Sequence, residues 1–61
     1  MNIDQTIQLI RGRTVKIHGL LEVAAKNRQY GLPEAAVWRL VQDAAKDIAK
    51  YAGEEEEADN A

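Results

Sequence analysis

Ile3, Ile7, Ile10, Thr14, Ile17, Leu21 and Ala24 follow one another at alternating intervals of four and three residues, and the same alternation resumes at Val37, Val41, Ala44, Ile48 and Tyr51. An α-helix returns to the same face about every 3.6 residues, so each series draws one stripe along a helix, of the kind that packs in heptad register against another helix. A strand has period two and would scatter each series over both faces. Between the two series stands Tyr30-Gly31-Leu32-Pro33-Glu34, where Gly31 suits a left-handed helix cap and Pro33 suits the first turn of a new helix. The spacing predicts an all-α chain, a two-helix antiparallel hairpin over residues 1–53. Its helices are expected over about 3–29 and about 33–52, with a turn at 30–33.

The ends of these helices are also signalled. Asn2 can cap the first helix, with Gln5 three residues on to complete a capping box, and Asp4 suits the positive end of the helix dipole. Gly12 and Gly19 lie opposite the stripe and weaken the helix, each by up to about 1 kcal/mol against alanine. Gly53 can end the second helix. Beyond it Glu54-Glu55-Glu56-Glu57 would sit at the negative end of the dipole, which predicts a disordered acidic tail over 54–61.

A chain of 61 residues buries only about 60% of its unfolded surface, and with no cysteine and one histidine neither disulfides nor a zinc site can reinforce it. Leu9, Leu20 and Val23 widen the apolar arc of the first helix beyond what one neighbour covers. Both observations predict a homodimer, two hairpins forming a four-helix bundle with Ile3, Ile7, Ile10, Ile17, Leu21, Val37, Val41, Ala44 and Ile48 in its core. At about 1.5 Å per residue the first helix would span roughly 40 Å and the second roughly 30 Å, leaving the first to project.

The residue types argue against an enzyme. There is no serine or cysteine nucleophile, one histidine, and no glycine-rich phosphate loop after a strand. One His per chain gives no metal site, and no cofactor is expected. No apolar run reaches the eighteen or so residues of a membrane span, and Asp4 and Gln5 stand where a signal peptide carries positive charge, so a soluble, unprocessed cytoplasmic chain is expected. Charge is uneven. Residues 1–53 carry eight Lys/Arg against five Asp/Glu, whereas the tail carries five acids and no base.

Two surfaces are candidates for contact with a partner. Arg11, Arg13, Lys16 and His18 form a basic cluster on the first helix that could meet an anionic partner, with Arg13 and Lys16 on one flank and Arg11 and His18 toward the other. No aromatic residue interleaves them, so base stacking is not provided for. Tyr30, Leu32, Trp38 and Arg39 cluster around the turn, and Trp, Tyr and Arg dominate the energetics of protein interfaces.

The short chain, helical hairpin, expected bundle and acidic tail resemble the Rop-like regulators encoded by plasmids. Local echoes are Ile10-Arg11-x-x-Thr14 and Leu20-Leu21-Glu22, the latter three residues further along than in that pattern. The resemblance implies a small regulator of phage or plasmid type, with RNA as one partner class. Rop-like proteins hold RNA on paired first helices that include an aromatic residue, and the first helix here carries none. The leading expectation is therefore a non-enzymatic homodimer that binds another protein and modulates it, most simply by inhibition. Nucleic-acid binding through the basic first helix and a structural role in a larger assembly are the alternatives.

Overall fold

In a computed structural model, residues 2–60 are described, and they form two helices, α1 (Ile3–Gln29) and α2 (Ala35–Asn60), with no strand among them. The helices run antiparallel in a rod with principal extents of 49 × 16 × 12 Å. The expected all-α hairpin is what the chain adopts.

The start of α1 is fixed by its sequence. The Asn2 side chain accepts from the Gln5 amide at 2.9 Å and the Gln5 side chain accepts from the Asn2 amide at 3.3 Å, a reciprocal capping box. Its end is equally specified. The Leu32 amide donates to the Asn27 carbonyl at 2.7 Å and the Gly31 amide to Arg28 at 3.2 Å, the two bonds of a Schellman cap, with Gly31 at φ +68°. A side chain at that φ would press on the following carbonyl, so glycine is required for the turn to stay this short.

Pro33 lies just outside α2 rather than in its first turn. The Glu34 carbonyl accepts from the Val37 and Trp38 amides, which makes Glu34 the capping residue and places the start of α2 at Ala35. A larger correction concerns the tail. Gly53 does not end α2, and Glu54 to Asn60 continue it instead of forming a disordered segment. Glutamate and alanine are strong helix formers, which offsets the unfavourable dipole there, and Glu55 also gains a partner on α1. With 26 residues against 27, α2 runs beside α1 for its whole length, so α1 does not project.

The seam between the helices is where the sequence reading holds on one side and turns on the other. On α2 the expected line Val37, Val41, Ala44, Ile48 and Tyr51 faces α1, extended by Glu34 and Glu55. On α1 the line in contact is Thr6, Ile10, Arg13, Ile17, Leu20, Ala24 and Asn27, which shares Ile10, Ile17 and Ala24 with the expected stripe but is rotated away from Ile7, Thr14 and Leu21. Three polar links mark this seam. The Thr6 hydroxyl, 1% exposed, donates to Glu55 at 2.6 Å; Arg13 Nε donates to Asp47 at 2.9 Å; and Arg28 pairs with Glu34 beside the turn. Paired residue numbers sum to nearly the same value in all three, so they agree on one register.

Little is buried. Among the described residues only Thr6, Ala24 and Ala44 are fully inside, while Ile3, Ile7 and Leu21, expected in a bundle core, are exposed on the single hairpin. The chain exposes 4799 Å², against the roughly 3,950 Å² that the mass scaling gives for a compact monomer of this size.

Candidate interaction surfaces

Two helices side by side form a slab with two broad sides, and the heptad spacing assigns each residue to one of them. On the first side the α1 line Ile7, Thr14, Leu21 and Arg28 lies next to the α2 line Trp38, Ala45 and Ala52. On the second side the α1 line Leu9, Lys16, Val23 and Tyr30 lies next to Leu40, Asp47 and Glu54. Ile7, Leu21, Trp38, Val23 and Leu40 are all between 37% and 45% exposed, so each side offers substantial apolar surface to water.

Near the turn the first side is shaped by one carboxylate. Glu34 accepts from Arg28 Nε at 3.2 Å, forms a second, very close contact with Arg28 Nη2, and accepts from the Trp38 indole N–H at 3.0 Å. The arrangement follows from local structure. Arg28 is in the last turn of α1, where a cation complements the dipole, and Glu34 caps α2, where an anion does. The bonds from Arg28 and then Trp38 hold the Glu34 carboxyl below the ordinary glutamate value, and the same contact raises Arg28. Trp38 is thereby held over an open groove lined by Leu21, Ala24, Ala25 and Arg28.

The turn-end cluster expected from the sequence is consequently divided. Tyr30 and Leu32 are 70% and 54% exposed at the tip, and Arg39 is exposed on the outer face of α2. Trp38 stands on the first side with Arg28 and Leu21, whereas Tyr30 continues the line of Val23 on the second. Val23 and Leu40 are the exposed apolar residues of that side on the two helices; the sequence marked Val23 only as widening the apolar arc, and neither as a partner contact. The signal was present in the seven-residue step from Val23 to Tyr30, which returns to the same heptad position.

The basic cluster is divided as well. Arg13 is drawn into the seam, where its bond to Asp47, helped by the Tyr51 phenol, raises its pKa further. Lys16 lies on the second side. Arg11 and His18 share the far edge of the first side, one heptad apart, and His18 approaches Glu22 at 3.8 Å with both side chains largely in water. The four residues therefore present no continuous basic track. No group of three or more metal-ligating side chains is placed together among the described residues, and no helix there is long and apolar enough to cross a membrane.

What the geometry offers is adhesion: two partly apolar helical sides and an exposed tip, with acids gathered at the open end and most of the bases along the middle of the rod. No protein-family model matches the chain, and no curated protein and no solved structure matches it, so these surfaces carry the functional reading by themselves.

Proposed function

We propose that this chain is a non-enzymatic cytoplasmic interaction protein of the phage or plasmid regulator type, which works as a homodimer and inhibits another protein by occupying its surface. The observation that carries this reading is the mismatch between helix length and burial. Two helices of 27 and 26 residues are sustained while nine large apolar side chains among the described residues remain exposed. A second chain on one side and a partner protein on the other would remove that surface from water, at about 25 cal/mol per Å². On this reading Tyr30, Leu32 and Arg39 make the partner contact at the tip, joined by Val23 and Leu40, and Trp38 serves the opposite side.

Mass in solution tests the first half, and capture of a partner from lysate at low and high salt with nuclease treatment tests the second. A partner retained by the native chain but lost by the variant Tyr30→Ala/Leu32→Ala, with the dimer intact in both, supports the reading. Recovery of nucleic acid that is released at high salt would replace it with nucleic-acid binding, whose affinity falls steeply with salt.

A further inference from the structure

α1 carries a second four-three line, distinct from its seam with α2. Leu9, Gly12, Lys16, Gly19, Val23 and Lys26 recur at alternating intervals of three and four residues and lead to Tyr30 at the tip. Leu9 is half-buried and the others are exposed, and the line turns away from the side that holds Ile7, Leu21 and Trp38. Spacing of this kind is what seats another helix. Two of its positions are bare. Gly12 and Gly19 each weaken α1 relative to alanine, yet neither has a positive φ, and a Cβ on either would meet nothing within 4 Å. The hairpin by itself gives these glycines no role, whereas a helix laid across them could approach to the near end of the usual separation of about 8–10 Å.

Charge says what kind of helix fits. The charged residues on the line are Lys16 and Lys26, about 15 Å apart along α1. On the α2 edge of the same side, from residue 36 to residue 50, Lys50 balances Asp43, and Asp47 is taken up by its bond to Arg13 at 2.9 Å. Glu22 lies off the line, on the outer face of α1 beside His18. Glu54 and Glu57 stand level with residues that precede Leu9. The surplus between Leu9 and Tyr30 is therefore positive, set among glycine, leucine and valine that favour apolar contact. Two lysines nearly three turns apart make no track for a phosphate backbone, and Tyr30 is the one aromatic residue on the line, so an acidic protein helix fits it better than a nucleic acid does.

We propose that this line seats one amphipathic helix of the partner protein, with bulky apolar residues a heptad apart over Gly12 and Gly19 and acidic residues against Lys16 and Lys26. The inference rests on the partner-binding reading given above and continues the contact at Tyr30 and Val23 along α1 to Leu9. A second chain on the Trp38 side leaves the line open. The lysine stems lie along the seat while their ammonium groups meet the acids.

The test uses the full chain and labelled synthetic helices of about 20 residues, long enough to run from Leu9 to Tyr30. One carries leucines at four-three spacing with glutamates beside them, a second has lysine in place of each glutamate, and a hairpin RNA is the third probe. Fluorescence anisotropy gives the affinity and amide chemical shifts give the place. The acidic helix should bind and shift Gly12, Lys16, Gly19 and Val23, and the basic helix should bind about tenfold more weakly at low salt, a gap that closes at high salt. Gly12→Gln/Gly19→Gln fills both notches with a good helix former in open space, so it should fold at least as firmly as the native chain yet bind the acidic helix about tenfold more weakly. Lys16→Glu/Lys26→Glu should reverse the preference between the two helices. No binding of the acidic helix, unchanged binding by the glutamine variant, or shifts confined to the tip or the Trp38 side overturns the seat; equal binding of the two helices, or binding of the RNA alone, overturns its chemistry. A chain of monomeric mass that still binds the acidic helix along the line loses the homodimer and keeps this inference. A lysate partner lost by Tyr30→Ala/Leu32→Ala but held unchanged by the glutamine variant keeps the partner reading and overturns this one.

Discussion

Glu34 is the side chain through which the two helices and the turn are joined. It caps α2 with its carbonyl while its carboxylate accepts from Arg28 at the end of α1 and from the Trp38 indole one turn into α2. Because its folded pKa lies below the unfolded value of about 4.3, its carboxylate favours the folded state at pH above that value, and the contribution is lost as pH falls through the lower folded pKa. Glu34→Gln is accordingly expected to lower the urea midpoint at pH 7, with the gap to the native chain closing toward pH 3. Equal gaps at both pH values would show that the charge of Glu34 contributes nothing. Two glycines make an opposite pair. Gly31 occupies a left-handed conformation, so Gly31→Ala should destabilise by about 1–2 kcal/mol. Gly53 is helical with open space where a Cβ would stand, so Gly53→Ala should stabilise by about 0.5–1 kcal/mol. Denaturation curves of the two variants check both signs.

At the scale of the helix, α2 was legible in the sequence because its apolar line and its seam coincide. In α1 they do not. Ile7 and Leu21, as bulky as the seam residues Ile10, Ile17 and Leu20, flank the line it turns toward α2, and that line includes Thr6, Arg13 and Asn27, which a search for apolar spacing passes over. Those polar positions face the seam because α2 supplies Glu55 and Asp47 opposite Thr6 and Arg13, a pairing that shows only once the two helices are aligned. The last turns of α2 were misread for a related reason. The dipole argument and Gly53 both signal an end, but the intrinsic preference of glutamate for helix and the bond from Thr6 to Glu55 act in the other direction. That bond makes a test of the element. Thr6→Val removes a buried donor to a carboxylate and should cost about 1–2 kcal/mol, with faster amide exchange confined first to residues 54–60. Unchanged exchange in those turns would mean that they hold without α1. The turn-end surface was legible only in part. Sequence proximity grouped Trp38 with Tyr30, whereas helical phase puts them on opposite sides of the hairpin.

For the whole molecule, the quantity that matters is how little two helices of this length bury against each other. Among the described residues the fully buried set is two alanines and a threonine, and half-buried Ile10, Ile17, Leu20, Val37, Val41 and Ile48 make up the rest of the seam's aliphatic part. The chain also exposes roughly 850 Å² beyond the scaling for a compact monomer of its mass, close to the area of one side of a standard interface. An isolated two-helix slab of this composition is thus marginal, since ordering each residue costs about 1–2 kcal/mol that burial must offset. If association supplies the missing burial, folding and dimerisation are one equilibrium and stability depends on concentration by mass action. Each tenfold rise in protein concentration should then add about 1.4 kcal/mol per dimer and raise Tm, while Leu21→Glu should melt lower and at a Tm independent of concentration. A native chain whose Tm is the same over a hundredfold range of concentration would instead place the stability in the single hairpin, and the exposed Ile7, Leu21 and Trp38 would then belong to a contact that does not contribute to folding.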